Sequence, residues 1–441
     1  MNLREHRIPA DTFSDLAAGG GGVTAARLLA ATQYSKHVLL VRGVVDTARA
    51  TGHPQAGAAR RGYDLLTAVQ AGHPEAVDAV LRYPSVGAWA RHTVRRLSDP
   101  GAPAVPAQLG ALAAAAALRA GTACTVEVPV TDGVITLPSV GQVLVPGGAA
   151  GATIRCSPAG AEVVGEGFRI ELPASAVSSG ADAPGWRPLR ALTAEAGDRH
   201  LRVLVDDLDP YRMPGSAALS GRLDATRMAY WQSTLDSAWE LLVRHHTAVA
   251  GETATVVSVL APMAPENGGQ SSASSRETFG CVALSEPLDG CSLAVTLAHE
   301  VQHAKLSALL DVVTLLAPDD GSRHYAPWRD DPRPLGGLLQ GAYAYLGVTE
   351  FWRRQRAHEK GKAAVLASAE FAQWREAARM VCGTLAGSGR LTRAGEIFVS
   401  GMIARLDGCA AEPVPDEALT LAHEASRRHR DRWVERNRRS A

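Results

Sequence analysis

The sequence predicts an α+β fold: mainly helical N- and C-terminal regions, a small antiparallel β region between them, and a metal site on a helix of the C-terminal region. Three observations carry this expectation. Apolar residues recur at three- and four-residue spacing up to about residue 122, and again beyond about 210. Between these limits short β-branched segments alternate with Gly and Pro. His299, Glu300 and His303 form a His-Glu-x-x-His sequence inside an apolar helical run. Residues 1–122 are therefore expected as a helical region, 123–209 as a β-rich region and 210–441 as a mostly helical, metal-binding catalytic region. Three units suit 441 residues at roughly 100–200 per domain.

The N-terminal helices follow from "TAARLLAATQYSKHVLLVRGVVDTA", from "PEAVDAVLRYPSVGAWARHTVRRL", broken at Pro84, and from the alanine-rich "PAQLGALAAAAALRAG". Gly19 to Gly22 lack the preceding strand and following Lys-Ser/Thr of a phosphate loop, so a flexible turn before a helix is expected. The strands are "CTVEVPV", "GVITLPSV", "GQVLVP", "ATIRC", "AEVVGEG", "FRIELP" and "HLRVLVDDL". Asp206, Asp207 and Asp209 close the last of them, and a solvated turn or helix cap is expected there rather than a cation site. Residues 223–251 predict one long amphipathic helix with Asp224 as its N-cap. "TATVVSVLAP" and "TFGCVALS" predict two strands around a polar loop, and the metal helix starts near Ser292. The tail "SRRHRDRWVERNRR" predicts a solvated basic helix face.

Composition narrows the function. Lys plus Arg equals Asp plus Glu, at 45 each, and zero net charge argues against a nucleic-acid or membrane-surface protein. Hydrophobic residues at 46% permit a sizeable core. The six cysteines are scattered without a CxxC pair, which suits a reduced, cytoplasmic setting. No secretion signal and no membrane span are expected.

His299 and His303, four apart on a helix, project side by side and suit a shared divalent metal. Two imidazoles and a carboxylate in an apolar helix are costly unless paired or ligated. Glu300 lies within reach of a metal-bound water. His423–Glu424 and His358–Glu359 fail the spacing, with Arg427 and Lys362 where a second His belongs. A peptide-cleaving zinc site needs a third ligand, and "AKLSALLD" after His303 supplies neither Gly nor His for one. The following helix offers Gln340 or Glu350, on a stripe with Tyr343 and Gly347. A carboxylate is the commoner ligand, whereas Gln340 is better placed on the apolar first turns. In "RHYAPWRDDPRPL", Arg329 and Arg333 bracket Asp330 and Asp331. Interlocked salt bridges are one reading. The other is capture of the far carboxylate of a 2-oxo acid by guanidinium forks. His324 is a spare ligand candidate beside Tyr325.

"GCVALSEP", "LAVTLAHEVQHAKLSALLD" and "YAPWRDDPRPLGGLLQGAYAYLGVTEFWRR" resemble the actinobacterial HExxH-domain family of ribosomal peptide gene clusters, the 2-oxoglutarate-dependent HExxH-type peptide β-hydroxylases. "REHRIPADTF", "SKHVLLVR" and "YPSVGAWA" extend the resemblance over nearly the whole chain. It implies a non-haem Fe(II) dioxygenase that consumes O₂ and 2-oxoglutarate to hydroxylate the β-carbon of a residue in a precursor peptide. By motif, His299 and His303 become iron ligands. Such a centre needs open positions for the keto acid and O₂, and Glu300 then acts from outside the ligand set. Arg329 and Arg333 stand as the 2-oxoglutarate clamp by charge and placement. Two other expectations stand beside this one: a Zn(II) metallopeptidase with Glu300 as general base, and a peptide-binding accessory protein with a closed structural metal site. The sequence leaves the oligomeric state open.

Overall fold

The computed structural model describes residues 5–99, 101–215, 219–265 and 270–437. The first four residues and the last four, including the end of the basic tail, lie outside the described residues.

The N-terminal region folds into α1 (Ala10–Ala17), α2 (Gly22–Ala50), α3 (Ala56–Gly72), α4 (Pro74–Leu81), α5 (Pro84–Leu97) and α6 (Leu109–Ala120). Pro74 and Pro84 open α4 and α5, where a missing N–H costs nothing. Small residues let α3 and α6 touch: a Cβ on Gly62 would lie 2.6 Å from the Gly110 nitrogen.

The β region holds β1 (Cys124–Pro129), β2 (Val134–Leu137), β3 (Gly141–Leu144), β4 (Gly151–Ser157), β5 (Gly160–Gly165) and β6 (Phe168–Pro173), then a short helix α7 (Ala174–Ser179), β7 (Trp186–Pro188), β8 (Arg190–Ala196) and β9 (Arg199–Val205). Strands β1, β4, β5 and β6 form one antiparallel sheet, and β2, β3 and β7 another. The third sheet departs from the purely antiparallel expectation. After α8 (Ala225–His245) and α9 (Thr247–Val256), the chain returns as β10 (Val259–Pro262), β11 (Ser272–Ala273) and β12 (Cys281–Leu284). The sheet order is β11-β12-β10-β9-β8, with β10 parallel to β9 and β12. The helical crossover from β9 to β10 is what parallel pairing requires. One sheet thus spans residue 209, where the sequence suggested a boundary.

Two local expectations change here. The helix expected over 223–251 is two helices, broken at His246 with φ −131 and ψ 49. The "TATV" of the expected strand ends α9 instead. Asp224 caps α8 as expected, accepting from the Arg227 N–H. Asp206, Asp207 and Asp209 are buried rather than solvated. Asp206 accepts from the Tyr83 hydroxyl at 2.6 Å, Asp209 from the Ser85 hydroxyl at 2.6 Å, and Asp207 pairs with Arg190 and Arg222.

The C-terminal helices are α10 (Gly290–Leu309), α11 (Leu335–Gln355), α12 (Gly361–Gly387), α13 (Arg393–Ala410) and α14 (Asp416–Asn437). Asp289 and Ser292 form a capping box that fixes the start of α10. Leu16, Ala25 and Leu29 of the N-terminal helices share one hydrophobic cluster with Leu306, Leu309, Leu339, Leu346 and Phe398. The architecture is α+β with helical ends, and the two ends meet. Among the described residues, no helix is long and apolar enough to cross a membrane.

The meeting point explains the glycine run. Gly19 and Gly21 take positive φ, 78° and 98°, and turn the chain between α1 and α2. Their loop presents carbonyls to the back of α10. Gln302 Nε2 donates to the Gly19 carbonyl at 2.8 Å, and Lys305 Nζ to the Gly20 carbonyl at 2.8 Å. Lys305 is 0% exposed, and Glu252 of α9 accepts from its ammonium at 2.8 Å. Burial lowers the Lys305 pKa, and the Glu252 carboxylate opposes that shift.

Glu252→Ala strands the Lys305 ammonium and costs about 3–5 kcal/mol in urea unfolding. Burial depresses the pKa of His37 and of His246 from 6.5 to about 4, against the hydrogen bonds that the Leu81 carbonyl and Gln355 Oε1 accept from them. Between those values the unfolded chain binds protons that the folded chain refuses. Stability is therefore expected to fall as pH drops from 6.5 toward 4, readable in denaturation midpoints.

Candidate metal centre

The front of α10 carries His299, His303 and Ser307, spaced four apart on one stripe. The two Nε2 atoms lie 3.1 Å apart, with the rings edge to face at 77°. Two nitrogens bound to one ion at roughly 2.0–2.1 Å and near a right angle would be about 3 Å apart, so the pair fits a shared divalent metal. Burial, and then His303, lower the His299 pKa to about 4, while Glu300 opposes. His299 is thus neutral at pH 7 and keeps a lone pair to offer.

Gln340 sets the other ring. Its Oε1 accepts from His303 Nδ1 at 3.1 Å, while its Nε2 donates to Ser307 Oγ at 3.2 Å. A proton held on Nδ1 leaves the His303 Nε2 lone pair facing His299. Gln340 is therefore placed behind His303 as an orienting partner, rather than beside the nitrogen pair as a ligand.

Glu350 requires a correction. It accepts from Arg405 at 2.8 and 2.6 Å and from Arg353 at 3.2 Å, and it faces Cys409. Ten residues of helix, about 15 Å along the axis, separate it from Gln340, which meets His303, so Glu350 lies away from that histidine. Among the described residues, no group of three or more His, Cys, Asp or Glu is arranged to hold a metal.

Glu300 is 1% exposed, and its Oε2 has no hydrogen-bond partner. A buried carboxylate oxygen without a partner is costly, and a metal-bound water or an incoming N–H would satisfy it. This orphan oxygen is a second feature that fits a metal at the histidine pair.

Arg329 and Arg333 both donate to Asp331, each at 3.0 Å, as the salt-bridge reading of this loop expected. Arg333 also pairs its backbone with His324, whose Nε2 meets Ser322 Oγ at 3.1 Å. Neither Arg333 nor His324 joins the histidine pair. Arg329 alone of the two arginines lines the neighbouring cleft.

Sequence reasoning missed the aromatic wall. Tyr345 meets His299 edge-on at 5.1 Å, Trp328 stacks on Tyr345 at 4.7 Å, and Trp374 closes on it at 4.3 Å. A Cβ on Gly341 would lie 2.4 Å from the Trp328 indole, so this glycine admits the ring. Beyond Tyr345 opens a cleft of about 570 Å³ between the 327–331 loop, α12 and α14. Tyr343, on the stripe singled out in the sequence, faces away and donates to the Leu16 carbonyl at 2.8 Å. Only the spacing distinguished the two tyrosines, since two residues of helix turn a side chain by roughly 200°.

Compared with known proteins, the chain matches no family model and no curated protein. His303→Ala is expected to abolish binding of one equivalent of Fe(II) or Zn(II) in an equilibrium titration. Gln340→Leu should weaken the same binding about 10- to 100-fold, because the His303 ring loses its orientation.

Proposed function

We propose that this chain is an Fe(II)- and 2-oxoglutarate-dependent enzyme that hydroxylates the β-carbon of a residue in a ribosomally made precursor peptide. The observation that carries the reading is the Nε2 pair of His299 and His303, 3.1 Å apart and tautomerically set by Gln340. The motif resemblance supplies the choice of reaction. Bound iron would supply the oxidising chemistry, with O₂ and the keto acid as co-substrates. The described residues offer two nitrogens there, which suits a centre completed by a chelating co-substrate.

The chain's own groups do the rest. Gln340 and Ser307 hold His303 in register. Glu300 offers its free oxygen to a hydrogen-bearing neighbour at the site. Tyr345, Trp328 and Trp374 keep bulk water from one side of His299. The clamp role given to two arginines narrows to Arg329, whose guanidinium reaches the cleft and would share itself between Asp331 and a co-substrate carboxylate.

One observation favours the second reading, a zinc metallopeptidase. The Glu300 oxygen has no hydrogen-bond partner and belongs to the residue after His299, so it could serve as a general base. The accessory-protein reading needs a closed set of four ligands. A single experiment separates the first two. The apoprotein is loaded anaerobically with Fe(II), then given 2-oxoglutarate, precursor peptide and O₂. The proposal expects a mass gain of one oxygen atom with succinate release. Peptide cleavage with Zn(II) and no keto acid would overturn it. Glu300→Gln should keep hydroxylation within about 100-fold as a neighbouring group, whereas loss of a general base costs a peptidase about 10²–10⁴-fold.

A further inference from the structure

The cleft beyond Tyr345 has a composition of its own. Trp328, Tyr345 and Trp374 form its inner wall. Its outer wall is α14, which turns Arg428, Arg432 and Arg436 onto the cleft at four-residue spacing. The sequence suggested a solvated face for this basic tail. The structure keeps Arg428, Arg432 and Arg436 on an exposed face, as suggested, and docks the helix through other residues. His429 meets the Tyr325 hydroxyl at 2.9 Å, Trp433 packs edge-on against Tyr325, and Asn437 donates to the Asp330 carbonyl at 2.9 Å.

Charge is left over in this cleft. Its lining carries four arginines, Arg329 among them, against Asp330 and Asp331. Asp331 is taken by Arg329 and Arg333, and Asp330 by Arg436 at 2.8 Å. Arg428 reaches Glu424 only at 3.4 Å, and Arg432 makes no ion pair among the described residues. Two guanidinium forks therefore face a volume of about 570 Å³, within the range of small-ligand and peptide sites. The inner end of that volume is Tyr345, whose other edge rests on His299.

We propose that this cleft is the docking groove for an acidic segment of the peptide substrate, held by Arg428 and Arg432 while its neighbouring residues run past Tyr345 toward the histidine pair. The identity of the ligand as the peptide substrate rests on the function proposed above. Guanidinium forks select carboxylates by paired hydrogen bonds, and the aromatic wall offers apolar area to the rest of the segment. Nucleic acid fits less well. The chain has no net charge, and two aspartates stand in the groove mouth.

Fluorescence anisotropy tests the groove without metal, co-substrate or turnover. The probes are a dye-labelled decapeptide of alternating Glu and Ala with a central Phe, its Glu→Gln analogue, its Glu→Lys analogue and a labelled dT₁₀. The Glu peptide should bind the full chain tightest, and more weakly at high salt. Arg428→Ala with Arg432→Ala should weaken it about 5- to 10-fold and leave the Gln peptide unchanged. Arg432→Glu should shift preference toward the Lys peptide. Equal binding of the Glu and Gln peptides to the unmodified chain overturns the proposal, and that comparison needs no variant to fold. Tighter binding of dT₁₀ also overturns it. Acidic-peptide binding without hydroxylation defeats only the function proposed above; hydroxylation without charge preference defeats only the groove.

Discussion

The Lys305 ammonium, held between the Gly20 carbonyl and the Glu252 carboxylate, joins three distant stretches of chain behind one helix. A buried charge is tolerated only where its partners are fixed. That requirement locks the back of α10 against the α1–α2 turn and against α9. The front of α10 is then free to present His299 and His303 at a defined height and angle. The candidate metal site on this single helix depends on it, because both histidines shift together if the helix slides or rolls.

The same division of faces organises the surroundings. Asp311, just beyond the end of α10, accepts from Gln33 and Lys36 of α2 and from Arg276. Leu306 and Leu309 meet Leu16 and Leu29 in one apolar cluster. Polar anchors and apolar packing thus fall on the rear and the end of the helix. The histidine stripe faces α11, where Gln340 meets His303 and Tyr345 meets His299. Gln340 acts through a hydrogen bond, Tyr345 through ring contact.

Much of this was legible in residue patterns. Helix periodicity, the Asp224 cap and the His299–His303 spacing are local, and local physics decides them. The parallel pairing of β9 with β10 is not local: it depends on where two intervening helices bring the chain back. His246 broke a helix that periodicity alone continued, because its ring stacks on Phe351 and bonds Gln355 from a distant helix. The site divided in the same way. Gln340 had the right neighbourhood but a different task, since only the fold reveals which His303 nitrogen it faces. Glu350 had the right chemistry in the wrong place, drawn away by Arg405 on α13. The glycine run is the turn before a helix that the sequence suggested. It presents carbonyls where a phosphate loop would present N–H groups.

The α1–α2 turn has a consequence for how the molecule comes into being. Gly19 and Lys305 are 286 positions apart, and Gln33 and Asp311 are 278 apart. On a ribosome, the first 50 residues emerge long before the helix they must brace. Contacts of such span carry a loop-closure penalty and form late in folding. The two histidines come into their final setting only when the two ends of the chain meet. The histidine pair is in that sense among the last features of the protein to be set, although both residues sit on one helix.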